Sequence, residues 1–479
     1  MNDTVLMIAA IFVPTAGAFA LPAIGKISER LRNAAAFAMV AASCACSAAL
    51  IPSALAGRAA AVSIAFPLGF NLSLSADALA VFMACVSSFI GLIIVLYSFD
   101  YISHYGNRNE YYMDVALFLG SMMGIVYSAN LVFLYIFWEL TAIASWRLIG
   151  FFRAGEHVIK ADKAFLVTVF GALVMLVGFI LIYALTGSFD LAAIKASLGG
   201  KALPGIVVLL VMFGILSKSA TLPFHTWLPD AGVAPSPVTA LLHAAVLVKI
   251  DVYVYARLFI ATFTISALWH TVIPAVAAAS ALVSAGAALV ETDMKRIIAY
   301  STVSQIAFIF LGLEVGGSVG VAGALLYILM HGLAKGGLFL CAGIVEQNTH
   351  TRDISKMGGL AATMPLTALA FFACSLSVMG VPPFGGFFSK FMVFSGAIYS
   401  GRLWISAAFL LGAFMTIMYL FRIFNMIFMG EAAGAPAREG SRVMVFSVLL
   451  LAAASLLGGI YIRYPSLFTD FIARHMAGI

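Results

Sequence analysis

The sequence predicts an all-α polytopic membrane protein with about fourteen transmembrane helices. Of its 479 residues, 63% are hydrophobic and only 10% are charged, whereas soluble domains are about 45–50% apolar and about 25% charged. The mean hydropathy is +1.09. Because so few charged residues cannot cover a water-facing surface, lipid is the solvent for most of the chain, and a soluble enzyme is excluded.

Apolar windows long enough to cross about 30 Å of hydrocarbon recur along the whole chain. The polar stretches between them, such as 57–73, 186–203 and 430–442, are too short for a soluble domain. The first window begins almost at Met1 without a basic segment before it, so we expect a retained helix rather than a cleaved signal. The predicted windows are 4–25, 33–56, 74–98, 112–129, 131–152, 163–185, 204–222, 237–259, 266–290, 296–314, 318–345, 362–397, 403–429 and 443–462.

The charge distribution predicts how the bundle is oriented. The net charge is +6, and Lys and Arg are more frequent in the odd-numbered loops between windows. By the positive-inside rule these loops face the cytoplasm, which puts both termini on the periplasmic side of the plasma membrane. A basic chain of this kind is not expected to bind nucleic acid.

The cysteines do not indicate a disulfide, an iron–sulfur cluster or a zinc site, because they lie in apolar runs and none is part of a CxxC motif. They are Cys44, Cys46, Cys85, Cys341 and Cys374.

Two windows contain helix breakers in similar contexts. In the seventh, Pro223 follows Lys218 by five residues, and in the twelfth, Pro382 and Pro383 come just before Lys390. Interrupted helices in corresponding positions of two halves indicate a transport site. We therefore predict that helices 7 and 12 are broken and belong to two inverted repeats.

The predicted division of the chain follows from this pattern. It consists of N-terminal helices at 1–111, five-helix repeats at 112–259 and 266–429, and a C-terminal loop and helix at 430–479.

Ionisable residues inside the apolar windows indicate the function, since a charge at mid-bilayer costs about 2.5–3.5 kcal/mol even on a lenient scale. Glu139 is the one acid in the sequence of the fifth window, and its expected partner is Lys218. Breaking such a pair would change the proton affinity of the lysine, so the pair can act as a switch. The alternative is a glutamate that only hydrogen-bonds a neighbouring helix. Arg147, near the end of this window, is expected to extend to the interface.

Two further windows combine histidine with lysine. In the eighth, His243 precedes Lys249 by six residues, or about 600° of regular helix, so the two share a face only if the helix bulges. A relay through water is the other way to connect them. In the eleventh, His331 and Lys335 are four residues apart and lie on one face, which suits proton transfer.

Three other residues are open to two interpretations. Lys390 is either part of a proton path or a lysine that extends to the interface. His225 is either an access residue or a helix-end cap. Asp251 follows Lys249 by two residues, about 200° around the helix, so it is not an automatic partner for that lysine.

No other chemistry is evident in the sequence. GxSxG, Walker A, Rossmann and HExxH patterns in a suitable context are absent, so hydrolysis, ATP use and nicotinamide binding are not predicted. No catalytic residue, cofactor or metal site is predicted, because few oxygen ligands are available for a metal cage. The row of titratable groups favours the movement of protons.

Several segments together resemble one membrane family, the antiporter-like proton-channel subunits shared by respiratory complex I, membrane-bound hydrogenases and Mrp-type cation/proton antiporters. The resemblance runs from about 70 to 430. The segments are FWEL at 137–140, SKSATLPFHTWLPDA at 217–231, ALLHAAVLVK at 240–249, DMKRIIAYSTVSQIAF at 293–308, HGLAK at 331–335, TRDISKMGGL at 351–360 and GVPPFGGFFSKF at 380–391.

This resemblance implies a fourteen-helix core with inverted repeats, two broken helices and a hydrophilic axis across the membrane plane. It implies that the chain is one module of a larger assembly with other membrane subunits. The sequence departs from the family at Asp251, where a small residue is usual, and at Arg147, where an apolar one is usual. Position by position, the resemblance assigns proton-path roles to Glu139, Lys218, His243, Lys249, His331, Lys335 and Lys390.

Three functions are compatible with these observations. The leading expectation is a proton-translocating subunit of a redox-driven complex, related to complex I or to a membrane-bound hydrogenase or formate-oxidising assembly. The alternative is a subunit of a multi-subunit Mrp-type antiporter that exchanges protons and possibly sodium. The third is a structural subunit whose polar axis only holds partners, against which the intact Glu139, Lys218 and Lys390 argue.

Overall fold

The chain folds into a bundle of helices, as the composition predicts. The computed structural model describes residues 2–66, 71–315, 317–432 and 437–477. Residues 67–70 and 433–436 of the predicted polar stretches 57–73 and 430–442 lie outside the described residues, as does the end of the predicted unit 430–479.

Most helices coincide with the predicted windows to within a few residues. They are α1 (Asp3–Ala18), α2 (Leu21–Ile27), α3 (Glu29–Ala49), α4 (Ile51–Leu55), α5 (Ala78–Tyr101), α6 (Arg108–Tyr127), α7 (Leu131–Ile149), α8 (Gly155–Thr186), α9 (Leu191–Leu198), α10 (Gly205–Lys218), α11 (Trp227–Asp230), α12 (Ser236–Ala240), α13 (Leu247–Tyr255), α14 (Trp269–Val290), α15 (Met294–Val315), α16 (Gly317–Thr349), α17 (Pro365–Met379), α18 (Gly385–Tyr399), α19 (Leu403–Phe428), α20 (Arg442–Ile460) and α21 (Arg463–Ala477).

Ten helical segments of the described chain are long and apolar enough to cross a bilayer, and the bent pair α1–α2 would make eleven. The expected number of about fourteen is not reached by these criteria, for two physical reasons. α6 carries Arg108, Glu110 and Asp114 in its first two turns, which makes it less apolar. The seventh and twelfth windows also fail these criteria, because each is interrupted and its apolar helices, such as Gly205–Lys218 and Pro365–Met379, are short.

The seventh and twelfth windows are broken, as their Pro and Gly residues predict. α10 ends at Lys218, and Ala220 in the break has a φ of 52°. α17 ends at Met379, and Gly380 has a φ of 84° before α18 begins. A left-handed φ costs roughly 1–2 kcal/mol for a residue with a Cβ. The backbone of the first break is therefore strained at Ala220, whereas the second break has Gly380 at its left-handed position and avoids this cost. The grouping into inverted repeats at 112–259 and 266–429 stays a prediction.

The eighth window is helical throughout but irregular. A π-helical turn, Leu241–Ala245, joins α12 to α13, and Val246 after it has φ −126° and ψ −75°. A π turn adds a residue to one turn of helix and rotates the helical segment after it. This is the bulge that the spacing of His243 and Lys249 requires.

Contacts between loops follow the alternation expected if each window crosses the membrane once. Odd-numbered loops meet on one side of the bundle, which we call the odd-loop face. There Asp230 pairs with Lys163 and Arg296 at 2.7 and 2.6 Å, and Arg352 pairs with Asp293 at 3.3 Å. These pairs join loops that are far apart in sequence.

Even-numbered loops meet on the opposite side, the even-loop face. Asp77 forms an ion pair with Arg257 there, and Lys195 donates a hydrogen bond of 2.9 Å to the carbonyl of Ala261. Burial alone would raise the pKa of Asp77, but Arg257 and backbone N–H groups hold that pKa below its ordinary value.

Four features were not predicted from the sequence. Two antiparallel strands, β1 (Ala60–Ala65) and β2 (Asn71–Ala76), pair Ala60 with Ala76 on the even-loop face. The short helices α9 and α11 and the amphipathic helix α21 lie outside the apolar windows. All of them are too short or too polar to produce a hydropathy signal of transmembrane length.

We predict that cysteines placed on the two faces are labelled from opposite sides of the membrane. In a chain with its native cysteines replaced by Ser, Lys356→Cys on the odd-loop face should react with an impermeant maleimide only in inverted vesicles. Arg58→Cys on the even-loop face should react only in right-side-out vesicles, because odd loops carry the basic excess. Labelling of both variants from one side would contradict the topology, and the reverse pattern would contradict the orientation.

Candidate functional site

The first cluster of buried polar groups joins α7 to the end of α10. Lys218, the last residue of α10, is fully buried. Its Nζ donates hydrogen bonds of 2.7 Å to the carbonyl of Trp138 and to the hydroxyl of Thr141, and it lies 4.4 Å from the centre of the Trp138 ring. The broken helix therefore positions an ammonium group against α7.

Glu139 is a neighbour of this lysine but does not form the direct ion pair that the sequence suggested. Among the described residues no Lys218–Glu139 ion pair falls within 4.0 Å, and the Lys218 ammonium is bonded to Trp138 and Thr141 instead. Glu139 is half-buried, Tyr135 lies one turn before it, and its Oε1 has no hydrogen-bond partner in the described chain.

The second cluster joins α13 to α16. The π turn brings both predicted residues of the eighth window against α16: the His243 ring stacks on Phe339 with centroids 4.3 Å apart, and Lys249 Nζ lies 2.7 Å from His331 Nδ1. All three ionisable side chains are fully buried. Neither nitrogen of His243 has a hydrogen-bond partner within the part of the chain that the structure describes.

Lys335 faces α15 rather than His331. Its Nζ donates to the carbonyl of Ile298 at 3.0 Å and to the hydroxyl of Ser301 at 2.6 Å. His331, one turn earlier, hydrogen-bonds Lys249 instead. The four-residue spacing therefore brings the two side chains to one buried region without a direct bond between them.

A buried polar network, which the sequence analysis missed, continues from Lys335. Tyr419 donates to Ser301 at 2.9 Å, Gln305 donates to Tyr419 at 3.4 Å, and Tyr327 donates to Gln305 at 2.7 Å. The available signal was the YSTVSQ segment, with its hydroxyls and amide in an otherwise apolar window.

Lys390 lies at the far end of this network. It is 4% exposed, so it does not extend to the interface. Its Nζ donates to the carbonyl of Val378 across the break at 2.7 Å, and it lies 4.8 and 5.6 Å from the ring centres of Phe308 and Tyr327. A Cβ at Gly380 would come within 3.2 Å of the Lys390 side chain, so the glycine also provides space.

Two other predicted positions lie away from this row. His225 is half-buried in the break between α10 and α11, and its Nδ1 has no partner among the residues that the structure describes. Arg147 forms an ion pair with Glu110 at the odd-loop face, which agrees with the interfacial interpretation.

A cavity lined in part by charged side chains opens at each face of the bundle. The odd-loop cavity has a volume of about 590 Å³ and is lined by Asp100, Tyr101, Lys295 and Glu346 among others. Lys295 is buried and pairs with Glu346 at 2.6 Å. Glu346 lies on α16, three turns after Lys335, so this cavity and the buried row share one helix.

The even-loop cavity has a volume of about 330 Å³. The ion pair of Asp77 and Arg257 lines it, together with Lys195 and His475 of α21. The buried row thus lies between two openings on opposite faces.

The family model for the transmembrane part of NADH:quinone oxidoreductase and Mrp antiporters matches residues 128–416, which is more than half of the chain. The chain belongs to this family. The match includes every predicted site residue from Glu139 to Lys390. A second model of the same antiporter-like family, complex I chain 5 N-terminus, matches residues 64–112.

One relative within this family is a subunit of the Na⁺/H⁺ antiporter of Alkalihalophilus pseudofirmus. It is 34% identical over 431 residues, which cover 82% of this chain and 53% of that protein. The chain therefore spans about half the length of the curated relatives it matches.

Solved structures agree with the fold. A chain of the Mrp complex from Dietzia sp. superposes with a TM-score of 0.89 at 23% identity, covering 99% of this chain and 98% of that one. A chain of respiratory complex I from Thermus thermophilus gives 0.86 at 23% identity, covering 98% of this chain and 99% of that one. The protein is thus a multi-pass membrane protein with the fold of these subunits.

We predict that Lys249 and His331 are energetically coupled. Because each is the other's hydrogen-bond partner, Lys249→Ala and His331→Ala should destabilise the protein non-additively, with a coupling of about 0.5–3 kcal/mol. The measurement is a double-mutant cycle on the thermal unfolding of the solubilised protein. As a control, the effects of Lys249→Ala and Lys390→Ala on stability should add in the double variant. If the effects of Lys249→Ala and His331→Ala also add, the hydrogen bond between Lys249 and His331 is contradicted.

Proposed function

We propose that this chain is the proton-conducting subunit of a multi-subunit Mrp-type cation/proton antiporter in the bacterial plasma membrane. The observation that carries the proposal is the row of buried lysines and histidines that runs from Lys218 through Lys249 and His331 to Lys390. Such groups are expensive inside a bilayer and mark ion and proton pathways.

The chemistry of the row favours protons over a bound metal cation. Lysine and imidazole gain and lose protons, whereas a sodium or calcium site needs several oxygen ligands. Within the described residues no group of three or more His, Cys, Asp or Glu side chains could hold a metal ion. We therefore assign proton movement to this chain and leave the cation path to its partners.

The two cavities supply the openings that a proton path needs. The odd-loop cavity would connect the cytoplasm with Lys335 by way of α16, and the even-loop cavity would connect the row with the periplasm. Both termini are then periplasmic. Proton transfer between groups beyond hydrogen-bond distance would proceed through water molecules or side-chain rotation.

The comparisons favour the antiporter over the redox-driven complex, which the sequence analysis had put first. The relative of 34% identity is named as part of a Na⁺/H⁺ antiporter, whereas the solved complex I chain is 23% identical and the matching family model covers both kinds of complex. A redox-linked assembly stays the second candidate because the complex I chain superposes over almost the whole length. In both cases the chain would work with other membrane subunits.

We expect Glu139→Gln and Lys218→Ala to abolish cation-dependent proton movement while assembly persists, since each removes a titratable group from a packed bundle. The assay is cation-induced dissipation of a pH gradient in vesicles that contain the complete complex. Lys356→Ala, an exposed charge on the odd-loop face, is the matched control and should keep normal activity. Normal activity in both test variants would contradict the proton-path proposal.

We expect the purified complex to contain membrane subunits without iron–sulfur or nickel–iron centres. Metal analysis and absorption spectra of the complex, with sodium–proton exchange measured in the same preparation, test this expectation. Co-purification of stoichiometric iron–sulfur or nickel–iron subunits would favour the redox-driven assembly and overturn the antiporter assignment.

A further inference from the structure

Asp251 is a fully buried carboxylate for which the row described above has no role. It lies on α13, and neither of its oxygens has a hydrogen-bond donor in the described chain. A buried carboxylate without a partner costs several kcal/mol when charged. This cost falls when an ammonium group lies nearby or when the carboxylate binds a proton.

Lys218 is the ammonium group that meets this need. α13 packs against α10, α15 and α6, and against the π-helical turns on either side of it, Leu241–Ala245 and Ala256–Ile260. In that order, these elements carry Lys218, Lys295, Asp114, His243 and Arg257. No Lys218–Asp251 ion pair falls within 4.0 Å among the described residues, but α10, which ends at the fully buried Lys218, packs directly against α13. A transfer between them would pass through a water molecule or follow a side-chain rotation.

Asp251 and Lys249 project from opposite sides of α13. Two residues correspond to about 200° of helix, and Lys249 is directed to His331 of α16. One helix therefore carries a base that contacts α16 and, on its other side, a buried acid without a hydrogen-bond donor among the described residues.

We propose that Asp251 is an additional proton-binding site that exchanges a proton with Lys218; this inference rests on the proposed proton path. In the transfer, an N–H bond of the Lys218 ammonium breaks and its electron pair stays on nitrogen, while an O–H bond forms on Asp251. The pair has no net charge before or after the step. The proton therefore moves between helices without creating an unpaired charge in the bundle, which the cost of charge burial would oppose.

The test compares Asp251→Asn, which cannot bind the proton, with Asp251→Glu, which can. In vesicles with the complete complex, Asp251→Asn should reduce the initial exchange rate on the order of tenfold or more and change its pH profile, while Asp251→Glu restores most of the activity. Asp114→Asn, another buried carboxyl on a membrane helix, is the matched control and should leave both unchanged.

A spectroscopic measurement separates proton binding from a structural role. Infrared difference spectra across a pH change should contain a carboxyl C=O band that is absent in Asp251→Asn and present in Asp114→Asn. An unchanged band and unchanged exchange in Asp251→Asn, with Lys218→Ala still inactive, would overturn the inference and leave the proposed function standing. Normal exchange in Lys218→Ala as well would instead overturn the proposed function.

Discussion

Each buried lysine of the row is stabilised by a neutral acceptor, and the rest of the site depends on this constraint. Three of them donate to backbone carbonyls, and Lys249 bonds the imidazole of His331. Because a carbonyl carries no charge, a lysine bonded to it can lose its proton without leaving an unpaired anion in low dielectric. The three lysines bonded to carbonyls are Lys218, Lys335 and Lys390.

The two halves of the bundle handle charge differently. Lys218 lies near two acids, Glu139 and Asp251, whereas Lys335 and Lys390 have no ion pair within the described ranges and rely on hydroxyl, carbonyl and aromatic neighbours. The charge state of the second half therefore depends on how many of its bases hold protons at once, since like charges repel strongly in low dielectric. The acids make the first half the natural place for a proton to be held.

Much of the fold could be predicted because hydropathy and helix breakers act locally. The windows and the breaks after Lys218 and before Lys390 follow from residue type alone, whereas the burial of Lys390 had to be read from the structure. Tertiary packing decided the rest: the bulge at His243 occurs within a sequence that favours regular helix, and Lys218 reaches α7 backbone instead of Glu139. The hydrogen-bond network around Ser301 was not predicted, because the hydroxyl group of a helical serine usually bonds the backbone of its own helix.

The ion pairs on the odd-loop face limit how this protein can move. Asp230 binds basic residues of two different loops, and Arg296 also pairs with Glu291, so loops from both halves of the chain are joined into one rim. Opening the bundle by tilting one half against the other would have to break several of these contacts together. Because partly exposed ion pairs are individually weak, the rim resists such a tilt through several pairs that share Asp230 and Arg296 rather than through any one of them.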